Sequence, residues 1–304
     1  MSHKTHVLVL GGTGFIGTAL VKELLASQEY RVSVLVNKSA PYRTFEDCNL
    51  IPGQLETFDL SGLKHDPPEL IFHLARIAGR SDSGRNKSAQ RGKKANQRLL
   101  MQAQELFPSC KWLYVSGSLM YGNHGDETVF ESTAHNPIAY AKEYSIAEQP
   151  FVQGLSEGRV MMAHPPWIVG RASWFKYFYL HQSELKNCIP KYGSGKEWMN
   201  LIHLKDCAGM IRHYAENAAF GNAYNLFGPE AITADAFLEK LSTRLSLPIK
   251  EFDLAELEPA SAEALSSSIR LGTLYPEIKS SYSLKYSSVD NILEDVLLTE
   301  NVHI

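Results

Sequence analysis

Three glycines between an apolar run and a helical pattern constrain this chain more than any other feature. In "HVLVLGGTGFIGTALVKELLA" the glycines Gly11, Gly14 and Gly17 follow the apolar run 6–10 and precede the helical pattern of 18–26. Strand, glycine turn and helix in this order bind a pyrophosphate: the first glycine turns tightly, the second admits the phosphates and the third packs helix on strand. The segment therefore predicts a dinucleotide-binding unit.

The end of the next predicted strand, 31–36, indicates which dinucleotide binds. NAD-binding chains usually carry Asp or Glu there, which holds the ribose 2′-hydroxyl. This chain carries Asn37 and Lys38 instead, with Arg43 nearby. No carboxylate repels a 2′-phosphate at this position, and a cation is available to pair with it. We therefore favour NADP over NAD, and the alternative is that Lys38 and Arg43 are ordinary solvated loop charges.

Composition narrows the class of protein. The chain has 304 residues, and its hydrophobic fraction of 44% is ample for a large core. Its net charge of −3 gives the molecule as a whole no attraction for a polyanion. No apolar run approaches the ~18 residues of a membrane span, and no histidine pair has the spacing of a helical zinc site. We expect a cytoplasmic protein that binds no metal, nucleic acid or membrane.

Strand-like and helix-like segments alternate up to Gly170, as a parallel α/β fold requires. Further stretches, together with "GGTGFIG", resemble the extended branch of the short-chain dehydrogenase/reductase superfamily, the NAD-dependent epimerase/dehydratase family. In chain order they are "ELIFHLARIAG" (69–79), "KWLYVSGSLMYG" (111–122), "ESTAHNPIAYAKEYSIAEQ" (131–149), "VMMAHPPWIVGR" (160–171), "YGSGKEWMNLIHLKDCAGMI" (192–211) and "GNAYNLFGPEAITADAFLEKL" (221–241).

The resemblance implies an α/β fold with a doubly wound parallel sheet and helices on both faces. It implies a Rossmann-type domain over 1–170, to which 196–226 returns, and a smaller substrate-binding lobe over 171–195 and 227–304. It implies a small-molecule substrate and a monomer or homodimer. The implied cofactor-binding residues are Gly11, Thr13, Gly14, Phe15, Ile16, Gly17, Asn37, Lys38, Gln54, Leu55, Leu74, Ala75, Arg76, Tyr140, Pro165 and Ile168.

The catalytic pattern of the family is incomplete in this chain. Members use a Ser or Thr after the fifth strand, a Tyr that exchanges the proton, and a Lys four residues after that Tyr. Tyr140 matches the Tyr, and Tyr144 stands where the Lys belongs. Lys142 does not substitute, because two helical positions turn a side chain by about 200°. The Tyr144 hydroxyl could bond the nicotinamide ribose in place of the missing Lys.

The hydroxyl position is also altered. Counted back from "MYG", it falls on Gly117, which Ser116 and Ser118 flank. We favour Ser118 as the replacement, because the chain has begun to turn there and alternate strand residues face opposite ways.

These changes favour reduction over oxidation. An unassisted phenol has a pKa of about 10, so Tyr140 is a poor base but can still donate a proton to an oxyanion. The sequence therefore predicts an oxidoreductase that reduces a carbonyl. Two alternatives stay open: a nucleotide-sugar epimerase or dehydratase, and a cofactor-binding regulatory protein or subunit without activity.

Two further segments have a plain and a functional interpretation each. The basic stretch 80–98 is either a solvated helix face or a rim that attracts an anion. The aromatic stretch 172–181 is either the core of the substrate lobe or the wall of an apolar pocket. From about residue 260 to 286 the Ser-rich sequence predicts irregular structure, followed by a helix over 289–298.

Overall fold

The computed structural model describes residues 4–37, 45–77 and 82–300. Their strands, in chain order, are β1 Thr5–Leu10, β2 Tyr30–Val36, β3 Asn49–Pro52, β4 Leu70–His73, β5 Lys111–Val115, β6 Thr128–Val129, β7 Val160–His164, β8 Trp167–Val169, β9 Ile189–Lys191, β10 Trp198–Met199, β11 Leu201–His203, β12 Ala223–Asn225, β13 Ile232–Thr233, β14 Ile249–Glu251 and β15 Arg270–Leu271. Their helices are α1 Phe15–Ser27, α2 Asp82–Leu106, α3 Ala139–Gly154, α4 His181–Lys186, α5 Leu204–Asn217, α6 Ala234–Leu245, α7 Pro259–Leu265, α8 Pro276–Ser280 and α9 Val289–Thr299.

The central sheet has seven strands in the order β12-β7-β5-β4-β1-β2-β3. β1 pairs in parallel with β2 on one side and β4 on the other, so Leu10 lies opposite Leu35 and His73. Val7 to Leu10 are fully buried, as a strand covered on both faces requires. The sheet is the predicted doubly wound Rossmann-type fold, and the carboxyl ends of its strands form one edge, where such folds bind ligands.

The described residues fall into two compact units. The first comprises those of 1–116, 143–164 and 208–224. Its core includes Leu10 and Ile71 from the sheet, Leu99 from α2 and Phe151 from α3. Helices α2 and α3 thus bury apolar faces on the strands that precede them.

The second unit comprises the described residues of 117–142, 165–207 and 225–304. The aromatic stretch predicted as lobe core or pocket wall lies here, and Phe175 and Tyr179 are buried in a cluster with Phe237 and Val296. These contacts favour the core interpretation for those two rings. The domain boundaries drawn from the sequence stay a prediction.

Most elements near the glycine turn match the sequence-based expectation, but the Ser-rich stretch does not. It was expected to be irregular from about residue 260, whereas it contains α7 and α8. Both helices begin at a proline, Pro259 and Pro276. Proline is favoured at the first helical position because its missing N–H has no helical partner there. In the described part of the chain, no helix is both long and apolar enough to span a membrane.

Candidate functional site

The turn after β1 needs glycine at two positions for different reasons. Gly11 has φ +86°, and a Cβ there would come within 2.6 Å of the backbone nitrogen of Ala75 after β4. A Cβ on Gly17 would lie 2.0 Å from the carbonyl oxygen of Gly11. The turn therefore holds α1 closer to the sheet than any larger residue would allow.

The N-terminus of α1 is open to a ligand. Gly14 caps the helix without a side-chain hydrogen bond, and no acidic residue occupies the first turn. The Gly14 N–H donates to the Gly11 carbonyl over 3.0 Å, which fixes the turn. A helix start of this kind presents N–H groups and a partial positive charge to an anion.

An open groove of about 400 Å³ runs along the carboxyl ends of β1, β2, β3 and β4. Its walls contain nine of the residues expected to bind the cofactor, together with Leu35, Gly53, Glu56 and Ile77, which the sequence did not indicate. The nine are Gly11, Thr13, Gly14, Asn37, Gln54, Leu55, Leu74, Ala75 and Arg76. The groove walls thus include strand ends and residues at the start of a helix, which are the places where Rossmann-type folds bind a dinucleotide.

Other expected residues lie elsewhere. Phe15, Ile16 and Gly17 belong to α1 and are not among the groove walls. Lys38 and Arg43 lie outside the described residues, so the expected 2′-phosphate contacts stay a prediction.

Two charged side chains, Glu56 and Arg76, line the groove. Arg91 of α2 donates to both carboxylate oxygens of Glu56 at 2.5 Å. That hydrogen bonding holds the pKa of Glu56 below its ordinary value. The charge of Arg91 compensates that of the ionised Glu56. The positive charge of Arg76 is therefore the uncompensated one among the described groove walls.

Arginines of the basic stretch on α2 contact other segments of the first unit. Arg98 donates to the backbone carbonyls of Phe58, Glu56 and Leu55 over 2.5 to 3.3 Å. Arg85 pairs with Glu143 of α3 at 3.2 Å. Together with Arg91, these arginines hold the loop after β3 and the start of α3 against α2. This supports a structural role for three members of the basic stretch.

Helix α3 carries the two tyrosines singled out by the sequence, and also Glu148. Tyr140, Tyr144 and Glu148 are spaced four residues apart on it, so they share one face. Tyr140 is 49% exposed and belongs to the second unit, whereas Tyr144 and Glu148 belong to the first.

A cation lies against the ring of Tyr144. The guanidinium carbon of Arg76 is 4.2 Å from the centroid of that ring. The Nη2 of Arg76 also donates to the backbone carbonyl of Ser116 over 3.0 Å. A planar guanidinium stacks well on an aromatic face, and the contact contributes roughly 0.5–1 kcal/mol at an exposed site. The sequence did not indicate this contact, because the two residues belong to different elements.

The hydroxyl of Ser116 is engaged by Glu148. It donates to the Oε2 of Glu148 over 2.5 Å, and both side chains are buried. Burial raises the pKa of Glu148 to about 7, although the Ser116 hydrogen bond and the charge of Arg76 act in the opposite direction. The second carboxylate oxygen, Oε1, has no hydrogen-bond partner among the described residues. Glu148 thus fixes α3 to the end of β5.

The remaining site residues belong to the second unit. Ser118 begins a short 3₁₀ turn, and its backbone N–H donates to the carbonyl of Pro165 over 2.9 Å. Ile168 lies on β8, where its carbonyl accepts from the indole N–H of Trp174 at 2.9 Å. The roles expected for Ser118, Pro165 and Ile168 stay predictions.

Comparison with known proteins places the chain in a family. The model of the NAD dependent epimerase/dehydratase family matches residues 7–157. No curated protein sequence matches the chain significantly.

Solved structures share the fold over the whole chain at low identity. UDP-N-acetylglucosamine 4-epimerase from Methanobrevibacter ruminantium M1 has a TM-score of 0.79 and 18% identity, covering 99% of each chain. dTDP-glucose 4,6-dehydratase from Bacillus anthracis in complex with NAD has a TM-score of 0.76 and 18% identity, covering 98% of this chain and 97% of that one. The human epimerase family protein SDR39U1 with NADPH has a TM-score of 0.74 and 18% identity, covering 98% of this chain and 100% of that one.

The matched range contains the glycine turn, the described groove walls and all of helix α3. The order of the strands in the sheet agrees with a Rossmann-type fold. The chain therefore belongs to the NAD dependent epimerase/dehydratase family.

Proposed function

We propose that the chain is an NADP(H)-dependent oxidoreductase that reduces the carbonyl group of a small molecule. The observation that carries this proposal is the glycine turn, where Gly17 lies close to the Gly11 carbonyl and Gly14, at the open start of α1, lines the groove. The groove fits a dinucleotide, because its walls are the strand ends and helix N-terminus that such cofactors use.

Neutral residues at the end of β2 support NADP over NAD. Asn37 lines the groove directly after β2, at the position where a carboxylate would hold a ribose 2′-hydroxyl. The related structures named above were solved with NAD in one case and NADPH in another. NAD is therefore the alternative cofactor.

Tyr140 supports the reductive direction. When bound, the nicotinamide dinucleotide supplies the hydride. The phenol of Tyr140 donates a proton to the substrate oxygen as that oxygen gains negative charge, and solvent later reprotonates the phenol. Ser118, or less directly Ser116, would donate a hydrogen bond to the same oxygen. Because Ser116 already donates to Glu148, we favour Ser118.

The substrate class is proposed from the relatives. Two of the three structures named above are, by name, enzymes of nucleotide sugars, and both cover nearly all of this chain. We propose a nucleotide sugar or another carbonyl-containing metabolite. The same likeness favours a second candidate, an epimerase or dehydratase of nucleotide sugars. A third candidate, a cofactor-binding subunit without activity, is favoured by Gly117 and Tyr144 at the positions of the family Ser and Lys.

A titration and one variant test the proposal. The purified chain is titrated with NADPH, NADP⁺, NADH and NAD⁺ by protein fluorescence, and then assayed for oxidation of NADPH with a panel of carbonyl compounds and keto-sugar nucleotides. Tyr140→Phe should lower turnover roughly 10²–10⁴-fold and leave nucleotide binding intact. Tyr177→Phe, at a tyrosine that is 63% exposed, serves as the control.

The outcomes separate the candidates. Failure to bind any of the four nucleotides rejects every version. Binding without turnover, unaffected by Tyr140→Phe, favours the subunit. Conversion of a UDP- or dTDP-sugar without net NADPH consumption favours the epimerase or dehydratase. A cytoplasmic location and a monomeric or homodimeric state stay predictions from the sequence.

A further inference from the structure

We propose that Arg76, held against the ring of Tyr144, is the positive group that anchors the nicotinamide-side ribose of the bound dinucleotide. This inference rests on the proposed function and assigns one residue, Arg76, to the nicotinamide half of the cofactor site. It assigns Tyr144 a role through the face of its ring rather than through its hydroxyl.

The sheet order gives the position of Arg76 along the cofactor. The adenosine half of a dinucleotide lies at the end of β2, and the pyrophosphate lies at the start of α1, directly after β1. β4 and β5 are on the other side of β1 from β2. Arg76 follows β4 and donates to the carbonyl of Ser116, which follows β5. The guanidinium therefore lies at the strand ends over which the nicotinamide half must run.

Charge and donor capacity fit this role. The second charged residue among the described groove walls, Glu56, is paired with Arg91, which leaves Arg76 to attract an anionic ligand. A guanidinium has five N–H donors. One terminal nitrogen of Arg76 bonds the Ser116 carbonyl, so donors are left for ribose hydroxyls.

The ring of Tyr144 orients the guanidinium. At 4.2 Å from the ring centroid, the guanidinium is supported by the ring, and Arg76 is also one of the groove walls. A lysine at position 144 would place an ammonium against the guanidinium, and the two like charges would repel. A lysine at position 144 of α3 and an arginine at position 76 after β4 therefore exclude each other, and this chain has the arginine.

Nucleotide binding by a set of variants of the full chain tests the inference. NADPH and NADP⁺ are titrated against each variant by fluorescence, and thermal unfolding without nucleotide checks that each one folds. Arg76→Met should weaken binding about tenfold, since one charge-assisted contact is lost. Tyr144→Leu should weaken it about fivefold and Tyr144→Phe at most about twofold, because phenylalanine keeps the ring. Lys142→Met removes a cation from the exposed side of the same helix and is the control.

The combination of two changes gives the sharpest result. Tyr144→Lys alone should weaken binding about tenfold, because two cations then crowd one place. The double variant Arg76→Met/Tyr144→Lys should recover to within about threefold of the wild type, because the charge is again single. A purely structural role for Arg76 would not give this recovery. Should Arg76→Met fail to fold, Arg76→Lys keeps the charge without the stacking and should show a smaller loss.

Failure of this inference is distinct from failure of the proposed function. A wild type that binds NADPH, with Arg76→Met and Tyr144→Lys binding equally well, overturns the inference and leaves the function standing. A double variant no better than either single variant also overturns it. A wild type that binds no nicotinamide dinucleotide overturns both.

Discussion

The hydroxyl of Ser116 donates a 2.5 Å hydrogen bond to the carboxylate of Glu148, and both side chains are buried. The bond joins the end of β5 to α3. It places an ionisable group in the interior beside the strand ends that line the groove, and burial gives that group a pKa near neutrality. A measurable pH dependence follows from the burial of Glu148.

Glu148→Gln should change how stability depends on pH. The pKa of Glu148 is about 7 in the folded chain against an ordinary 4.5. The folded state therefore binds this proton more tightly than the unfolded state. The resulting stability is fully present below pH 4.5 and is lost as the pH rises through about 7.

Glutamine has no such titration, so the stability of Glu148→Gln relative to the wild type should rise by up to about 3 kcal/mol between pH 4.5 and 8. Urea unfolding at several pH values measures it. Glu105→Gln, at an exposed position of α2, should show no such trend. A difference between Glu148→Gln and the wild type that is constant with pH would contradict the prediction.

Gly17→Ala should disrupt both the fold of the turn and cofactor binding. The added methyl carbon would lie 2.0 Å from the Gly11 carbonyl oxygen, so α1 must move away from the turn. We expect a loss of roughly 1–3 kcal/mol or more in unfolding free energy and loss of nucleotide binding. Gly62→Ala is the matched control, because a Cβ there meets nothing within 4 Å. Equal behaviour of the two variants would refute the steric argument.

Arg98→Met should loosen one wall of the groove. Its guanidinium bonds the carbonyls of Leu55, Glu56 and Phe58, and Leu55 and Glu56 line the groove. Losing these donors should cost roughly 1–3 kcal/mol of unfolding free energy and weaken NADPH binding. Lys94→Met, exposed on the same helix, should change stability by no more than about 0.5 kcal/mol. An unchanged affinity of Arg98→Met for NADPH would show that this wall of the groove does not depend on the hydrogen bonds of Arg98.

Asn37→Asp should shift the preference between cofactors. A carboxylate at the end of β2 repels a 2′-phosphate and accepts a bond from a 2′-hydroxyl. We expect the ratio of NADP⁺ to NAD⁺ dissociation constants to rise about tenfold or more. Asn37→Ser, which removes the amide without adding charge, should change the ratio little. Dissociation constants measured at two salt concentrations check the electrostatic origin, and an unchanged ratio would remove Asn37 from the selectivity argument.

The sequence predicted the parts of this protein that depend on local pattern. Gly11 and Gly17 could be assigned roles, because strand, turn and helix follow one another in the chain and each glycine has a distinct steric task. The same holds for Tyr144, whose place on a helix face follows from its spacing of four residues after Tyr140. The doubly wound parallel sheet was predicted through the family resemblance, and the alternation of strand-like and helix-like segments agreed with it.

Contacts between segments far apart in the chain could not be predicted from the sequence. Nothing in the pattern around Arg76 shows that its side chain turns toward α3, and nothing in the basic stretch shows that Arg91 meets Glu56. Charge counting alone gave a solvated face or an anion-attracting rim for that stretch. Three of its arginines instead bind carboxylates and carbonyls brought near by the fold.

The guanidinium over the ring of Tyr144 also bears on how degenerate relatives are sorted. A search that retains only chains with Tyr and Lys four residues apart would discard this one as inactive, although the guanidinium of Arg76 lies next to residue 144. A better criterion is three-dimensional: any Lys or Arg within about 6 Å of that helical position, whichever segment delivers it. Under such a rule, a chain that lacks the lysine is kept for testing whenever another segment brings a cation to the same place.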